Sequence, residues 1–337
     1  MLTPSLQVAL FKRKPADKAL VIGSGSEATV YLGKVKALSK PDPEVSKWVA
    51  LKAPAAASFL ENLKKEAQIL SKFDHPNIVK MVEFSGKMSS ERLQSVAELG
   101  HALPLEISLE GSLFDLVFES KAPLPVNIAK SYFLQLLEGI QAIHSKGVIH
   151  RDLKLENFLL FESGSLVKIS DFGLSEIVLT DSFNSKDLQK TFSSSKLAGS
   201  LPYMSPECHI GRFSTSTDLF SLAVAGFIMV FGVPPFASAK STDKHYKLVA
   251  SGNMKEYIKT LLKSTKVPSE KIDYDFLELF FAMTHPSAEQ RPAISEIKNS
   301  VWIRTGPAAT TEEMVIPASK LPNRSKELLT IIQSEET

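Results

Sequence analysis

The stretch HRDLKLENFLL at 150–160 places Asp152, Lys154 and Asn157 within six residues, directly ahead of an apolar run. Transfer of a phosphoryl group needs a carboxylate to orient the attacking hydroxyl, a cation near the transferred group and an oxygen ligand for a metal. A charged turn before a strand gives no reason for that order of types. DFGLS at 171–175 follows the strand-like LVKIS and adds a second carboxylate, Asp171. A carboxylate there suits Mg²⁺ bridging two phosphates. A lone DFG is common by chance; after HRD-x-K-x-x-N it is not.

Two upstream motifs fit the same chemistry. GSGSEATV at 23–30 carries Gly23 and Gly25, and glycines let backbone N–H groups approach phosphate oxygens. Alone, such a pair reads as a hairpin turn. Ala28 stands where a third glycine would be, and no Gly-Lys-Ser/Thr follows, which excludes a Walker loop. VALK ends at Lys52, placed to reach back under the glycine loop. Its partner is Glu66 in KKEAQIL; Glu61 would also serve on local grounds. Glu66 is preferred because its helix face carries Leu70 and leads into HPNIV.

These residues need elements to hold them. KALVIGSGSEATVYLGKV at 18–35 reads as a hairpin, and WVALKA, after a polar loop at 39–47, as a third strand. Residues 58–73 place Leu63, Ala67, Ile69 and Leu70 at helical spacing. Beyond about residue 112 long helical patterns take over, one ending at Gly147 and one spanning 218–231. No internal repeat is visible. The fold class is α+β: a small antiparallel sheet with one main helix, then a larger, mainly helical part.

The ordered motif set resembles the eukaryotic protein kinase family over residues 20–304, of the serine/threonine type. RDLKLEN and FGVPPF look most like the calcium/calmodulin-dependent and AMP-activated group. The resemblance implies a bilobal domain at 18–304 (N-lobe 18–104, hinge 105–111, C-lobe 112–304). An N-terminal extension would occupy 1–17 and a C-terminal tail 305–337. It implies ATP in the cleft between the lobes, contacted by Ile22, Gly23, Gly25, Val30, Ala50, Lys52, Leu105, Glu106, Ser108 and Leu159. Leu105 would be the gatekeeper, the backbones of Glu106 and Ser108 would bind adenine, and Val30, Ala50 and Leu159 would sandwich its ring. Asp152, Lys154, Lys52 and Glu66 would be catalytic, and Asn157 and Asp171 would hold Mg²⁺ or Mn²⁺. Leu70, His150 and Phe172 match a regulatory stack. Glu207 of SPE would pair with Arg291 of EQRP, and Asp218 would bond the backbone of the HRD turn.

Lys154, two residues after Asp152, and GSLPY at 199–203 imply protein substrates with Ser/Thr acceptors. Three departures from the family pattern, Ala28, Ser205 and Ala223, touch no group that handles phosphate or metal. The rival function is a catalytically silent pseudokinase acting as a nucleotide-binding scaffold; loss of Lys52, Asp152 or Asp171 would argue for it, and all three are present. A small-molecule kinase is disfavoured by the full activation segment at 171–207. Within it, the position three before Gly199, where many family members carry an activating phosphothreonine to meet the HRD arginine, is Lys196. Either Thr191, Ser193, Ser194 or Ser195 takes a phosphate, or the segment orders without one.

The 337 residues carry 39 basic and 37 acidic side chains, a net charge of +2. That balance argues against nucleic-acid partners. The apolar run at 219–233 is shorter than the roughly 20 residues a membrane span needs. The stretch at 6–11 is too short for an export signal, and its basic cluster follows it. A single cysteine, Cys208, fits a reducing compartment. The expectation is a cytoplasmic protein, with the nucleus as a second location. The tail is polar and proline-broken, with an amphipathic piece at 326–333. It either packs on the domain or is disordered, or it receives a regulatory partner.

Overall fold

A computed structural model describes residues 6–11, 19–37, 47–82, 102–120, 122–178, 191–193, 199–265 and 267–336. The chain divides into two compact units: Met1–Asp74, Val79–Ser108 and Ile331–Thr337 form one, and His75–Ile78 with Leu109–Thr330 the other.

The first unit is built on five antiparallel strands: β1 (Leu6–Leu10), β2 (Val21–Ser24), β3 (Ala28–Ala37), β4 (Lys47–Pro54) and β5 (Leu103–Glu106). The order is β1-β3-β4-β5, with β2 also on β3. Strand β1 lies in the segment read as an extension; it pairs with the second half of β3, Leu6 opposite Ala37. Nothing local in these five residues announces a strand partner that begins at Gly33 and ends at Ala37. Because side chains alternate along a strand, register decides what shares a face. Val30 lies opposite Lys52, Leu103 also opposite Lys52, and Leu105 opposite Ala50. Val30, Ala50, Lys52 and Leu105 therefore line one face, while Val49 and Leu51 build a core on the other. At Gly33 an added Cβ would sit 2.4 Å from Leu51 Cδ1, so this crossing needs glycine. Helix α1 (Leu60–Leu70) buries Leu63, Glu66, Ile69 and Leu70, one stripe at helical spacing.

The second unit holds helices α2 (Leu113–Ser120), α3 (Val126–Ser145), α4 (Thr215–Phe231), α5 (Lys244–Ala250), α6 (Met254–Ser264), α7 (Tyr274–Met283), α8 (Ile294–Lys298) and α9 (Val301–Arg304). Helix α4 is apolar all round and buried from Thr217 to Phe231, as a core helix should be. It starts at a Ser214/Thr217 capping box and stops at Gly232, whose φ of 72° is left-handed. Its Phe227 and Phe231 pack against Tyr257, Phe276 and Phe280. Among the described residues no helix is long and apolar enough to cross a membrane.

Short strands carry the motifs: β6 (Val148–Ile149), β7 (Phe158–Phe161), β8 (Leu166–Ile169), β9 (Glu176–Ile177), β10 (Phe192–Ser193) and β11 (Arg212–Phe213), in three antiparallel pairs, β6-β9, β7-β8 and β10-β11. Helices α10 (Thr311–Met314) and α11 (Asn323–Glu336) follow. Within residues 305–336, Met314, Leu321 and Leu328 are buried. Helix α11 is longer at both ends than the amphipathic piece read at 326–333.

Candidate active site

In the first unit, Lys52 Nζ lies 2.8 and 2.7 Å from the two carboxylate oxygens of Glu66. The stripe of α1 that buries Leu63 and Ile69 carries Glu66 inward, whereas Glu61 is exposed and pairs with Lys64 at 2.8 Å. That settles the choice between the two acids. Gly25 N donates to Ala28 O at 2.8 Å, closing the β2–β3 turn, and Gly23 and Ile22 sit half-buried on β2. Leu105 is buried opposite Ala50. The Glu106 N–H is committed to the Lys80 carbonyl at 3.0 Å. An adenine contact at Glu106 would therefore use its carbonyl. Ser108 is half-buried just beyond.

In the second unit, the β7–β8 hairpin sets the metal-type residues side by side. Phe158 pairs with Ile169, so Asn157 and Ser170 flank the same end, joined by Ser170 N donating to Asn157 O at 2.9 Å. Asp171 follows, with φ 63°. Asn157 Nδ2 donates to the Asp152 carbonyl (2.8 Å) and to Asp152 Oδ2 (3.2 Å), which turns the amide oxygen toward other use. An amide oxygen beside an aspartate is a hard donor set and fits Mg²⁺ or Mn²⁺.

Asp152 is gripped on both oxygens. Lys154 Nζ donates to Oδ2 at 2.7 Å, and Ser200 donates to Oδ1 through both its N–H and its hydroxyl, each at 3.0 Å. Lys154 also reaches Ser200 Oγ at 2.9 Å. Ser200 is a site residue that motif reading passed over. Its only signal was its place after Gly199 in GSLPY. Gly199 itself has φ 110°, and a Cβ there would lie 2.9 Å from the Arg151 carbonyl, so the end of the activation segment can close on the catalytic turn only through glycine.

The turn is held from beneath by buried Asp218. Its oxygens accept from His150 N and Arg151 N, both at 2.9 Å, and lie 2.8 Å from His144 Nε2. Burial alone would raise this carboxyl; the bond and charge of His144 and the His150 N–H more than reverse it, so its pKa is lowered. Burial lowers the pKa of His150 against the pull of Asp218, Asp152 and Asp171. A neutral ring matches its bonds: Nδ1 accepts from Asp152 N (3.3 Å) and Nε2 donates to Ser170 O (3.1 Å). The His150 and Phe172 rings meet edge-on at 4.8 Å; Leu70 is buried within the first unit. Arg151 and Asp171 are non-glycine residues in left-handed backbone, a costly conformation that clusters where function demands it.

Arg291 forks onto Glu207 at 2.7 and 2.8 Å. Of the activation-segment candidates, Thr191 and Ser193 are exposed, with Ser193 opposite Arg212. Ser194, Ser195 and Lys196 lie outside the described residues.

The sequence profile described as Protein kinase domain matches residues 17–303. The SNF-related serine/threonine-protein kinase of Homo sapiens is 29% identical over 270 residues, 79% of this chain and 31% of its own length. CBL-interacting protein kinase 26 of Oryza sativa subsp. japonica is 30% identical over 285 residues, 84% of this chain and 51% of its own. Serine/threonine-protein kinase CHK1 of Mycosarcoma maydis is 33% identical over 206 residues, 61% of this chain and 28% of its own. The chain thus spans roughly a third to a half of the length of these relatives. They bear out the resemblance to serine/threonine kinases of the calcium/calmodulin-dependent and AMP-activated group. With the profile matched across both units and the motif residues set in these geometries, the chain belongs to the protein kinase domain family.

Proposed function

We propose that the protein transfers the γ-phosphate of ATP to Ser/Thr hydroxyls of protein substrates, with Mg²⁺ or Mn²⁺ as cofactor. The observation that carries this is the closed network of Asp152, Lys154, Asn157 and Ser200, next to Asp171. Catalysis of phosphoryl transfer is mostly positioning and charge stabilisation. Asp152, fixed by donors on both oxygens, accepts the hydrogen bond of the incoming hydroxyl and aligns its oxygen. Lys154 offsets negative charge on the group being transferred. Lys52, held by Glu66, takes the α- and β-phosphates. Asn157 and Asp171 would hold the cation, which supplies neutralisation of phosphate charge. A regulatory partner docking through residues 305–337 belongs to the same proposal, on the faces left exposed around buried Met314, Leu321 and Leu328. Cytoplasmic or nuclear residence is proposed on the single cysteine.

The test mixes purified protein with ATP, Mg²⁺ and a generic protein substrate, beside Asp152→Asn. The parent should phosphorylate Ser and Thr, and the variant should lose about a hundredfold or more of the rate while still binding nucleotide. Nucleotide binding without transfer by the parent, across phosphorylated and dephosphorylated preparations, would reassign it as a scaffold.

A further inference from the structure

The segment after α9 lies beyond the matched residues 17–303, yet it is fastened to the second unit at successive points. Lys130 Nζ donates to the Thr305 carbonyl, and Ser131 Oγ donates to the Ala309 carbonyl at 3.1 Å. Ile316 N donates to the Ser163 carbonyl at 2.7 Å. The Ile316 side chain covers Gly164 so closely that a Cβ there would lie 2.5 Å from Cδ1. Pro322 and Ser325, both buried, then close on Gly111: a Cβ there would lie 3.2 Å from Pro322 Cγ and 3.5 Å from Ser325 Oγ. Gly111 and Gly164 have φ of 86° and 94°. The two turns are thus shaped in backbone as well as in bulk to receive this segment.

Those two turns are connected to each other. Ser163 N donates to Glu110 Oε1 at 2.8 Å, and Leu160 N donates to the Gly111 carbonyl at 2.8 Å. Ser112 bridges Leu159 and, through reciprocal bonds with Asp115 at 2.8 and 3.2 Å, starts α2. The contacts of Ile316, Pro322 and Ser325 therefore converge on β7, the strand that carries Leu159: the 162–164 turn follows its C-terminal end, and the 110–112 turn lies alongside Leu159 and Leu160. We infer that residues 314–325 are a positioning element for the nucleotide site: they clamp the 110–112 turn against β7 and so fix Leu159. This rests on the proposed contact between Leu159 and adenine. Ile316 and Pro322 act through Gly164 and Gly111.

The experiment uses the full chain. Ile316→Ala and Pro322→Ala should each raise the KM and Kd for ATP by roughly threefold to tenfold. The kcat at saturating ATP and the KM for protein substrate should stay within about twofold of the parent. Val315→Ala, at an exposed neighbour, should match the parent, and Leu159→Ala should weaken ATP directly. If Leu159→Ala leaves ATP binding intact, the placement of adenine fails. If it weakens ATP but the two tail variants, folded, do not, the clamp fails. Equal losses in kcat would also overturn it, since they would mark general loosening. Linkage gives a check that needs no variant, because coupling between two sites is reciprocal: saturating ATP should slow hydrogen exchange at the Ile316 amide in the parent. Unchanged exchange there overturns the inference even if the variants fail to fold.

Discussion

Two ion pairs, one in each unit, share the same bond lengths and, on the proposed function, do different work. Lys52 meets Glu66 at 2.7 and 2.8 Å; Arg291 meets Glu207 at 2.7 and 2.8 Å. Both are buried, with side-chain exposures of 11% and 2% in the first and 0% and 13% in the second. Their surroundings separate them. Arg291 also donates to the carbonyls of His285 (2.8 Å) and Ser216 (3.2 Å) and lies 4.9 Å over the Phe220 ring, so its planar fork is locked into a corner of the fold. Lys52 is a compact point charge on a strand face shared with Val30 and Ala50, suited to phosphate oxygens. Distance alone does not tell the pair proposed to bind phosphate from a fastening one; the cation's chemistry and the strand face or fold corner that holds it do.

Removing one partner strands a buried charge, so Lys52→Met and Arg291→Met should each cost about 3–5 kcal/mol. Replacing both partners by apolar residues is often nearly neutral, and there the pairs should part. Lys52→Met/Glu66→Leu should regain stability yet keep kcat/KM down by about a hundredfold or more. Glu207→Leu/Arg291→Met should regain stability and most activity. Denaturant midpoints and kcat/KM on the four proteins decide it; matching activity in the two double variants would break the comparison.

Acid should act on the buried titratable groups of the second unit in two stages. His150, ordinarily 6.5, is lowered by burial, so below that pH the unfolded chain binds a proton that the fold refuses. Stability is therefore fully present above about pH 6.5 and falls as pH drops further. For Glu207, burial raises the carboxyl but the bond and charge of Arg291 outweigh it, and the pKa lies below its ordinary 4.5. Asp218 lies below its ordinary 3.8. Their contributions should be lost in a second stage below those values. Unfolding midpoints from pH 8 to 3 should show both slopes, and the double variant lacking Glu207 should lose part of the second, steeper one.

Legibility followed the same division. Asp152, Lys154, Asn157 and Asp171 could be read because their chemistry is spelled in consecutive residues, and Glu66 because helical period points it inward. Ser200, His144 and the clamp at Gly111 could not. They act by contacts across 48, 74 and some two hundred positions, and such pairings leave no local pattern. Strand β1 was missed for that reason: its partner is chosen by the length of β3. The tail's polar, proline-broken composition hid the buried Met314, Leu321 and Pro322, which lie ahead of the helical spacing of Leu328, Ile331 and Ile332 that the piece at 326–333 does show.

The smallest expected effect concerns the activation segment, where Lys196 occupies the position of the usual phosphothreonine. The β6–β9 pairing sets Ile149 opposite Glu176, and Arg151, two residues past Ile149, reaches Glu176 at 3.2 Å while its guanidinium lies 4.2 Å over Phe213. Phe213 is in turn opposite Phe192 in β10. A carboxylate and an aromatic face thus already engage the arginine that a phosphate would otherwise meet. The Glu176 side chain is 35% exposed, which caps such a pair at about 1 kcal/mol. Glu176→Gln should therefore lower kcat/KM of phosphatase-treated protein by only about threefold to fivefold, and Ser193/Ser194/Ser195→Ala should leave activity near the parent's. The opposite pattern, a silent Glu176→Gln and an inactive triple variant, would return the switch to a phosphoserine. Mass spectrometry of the active fraction identifies which state was assayed, so the two arrangements are distinguished by which anion faces Arg151, the Glu176 carboxylate or a phosphate.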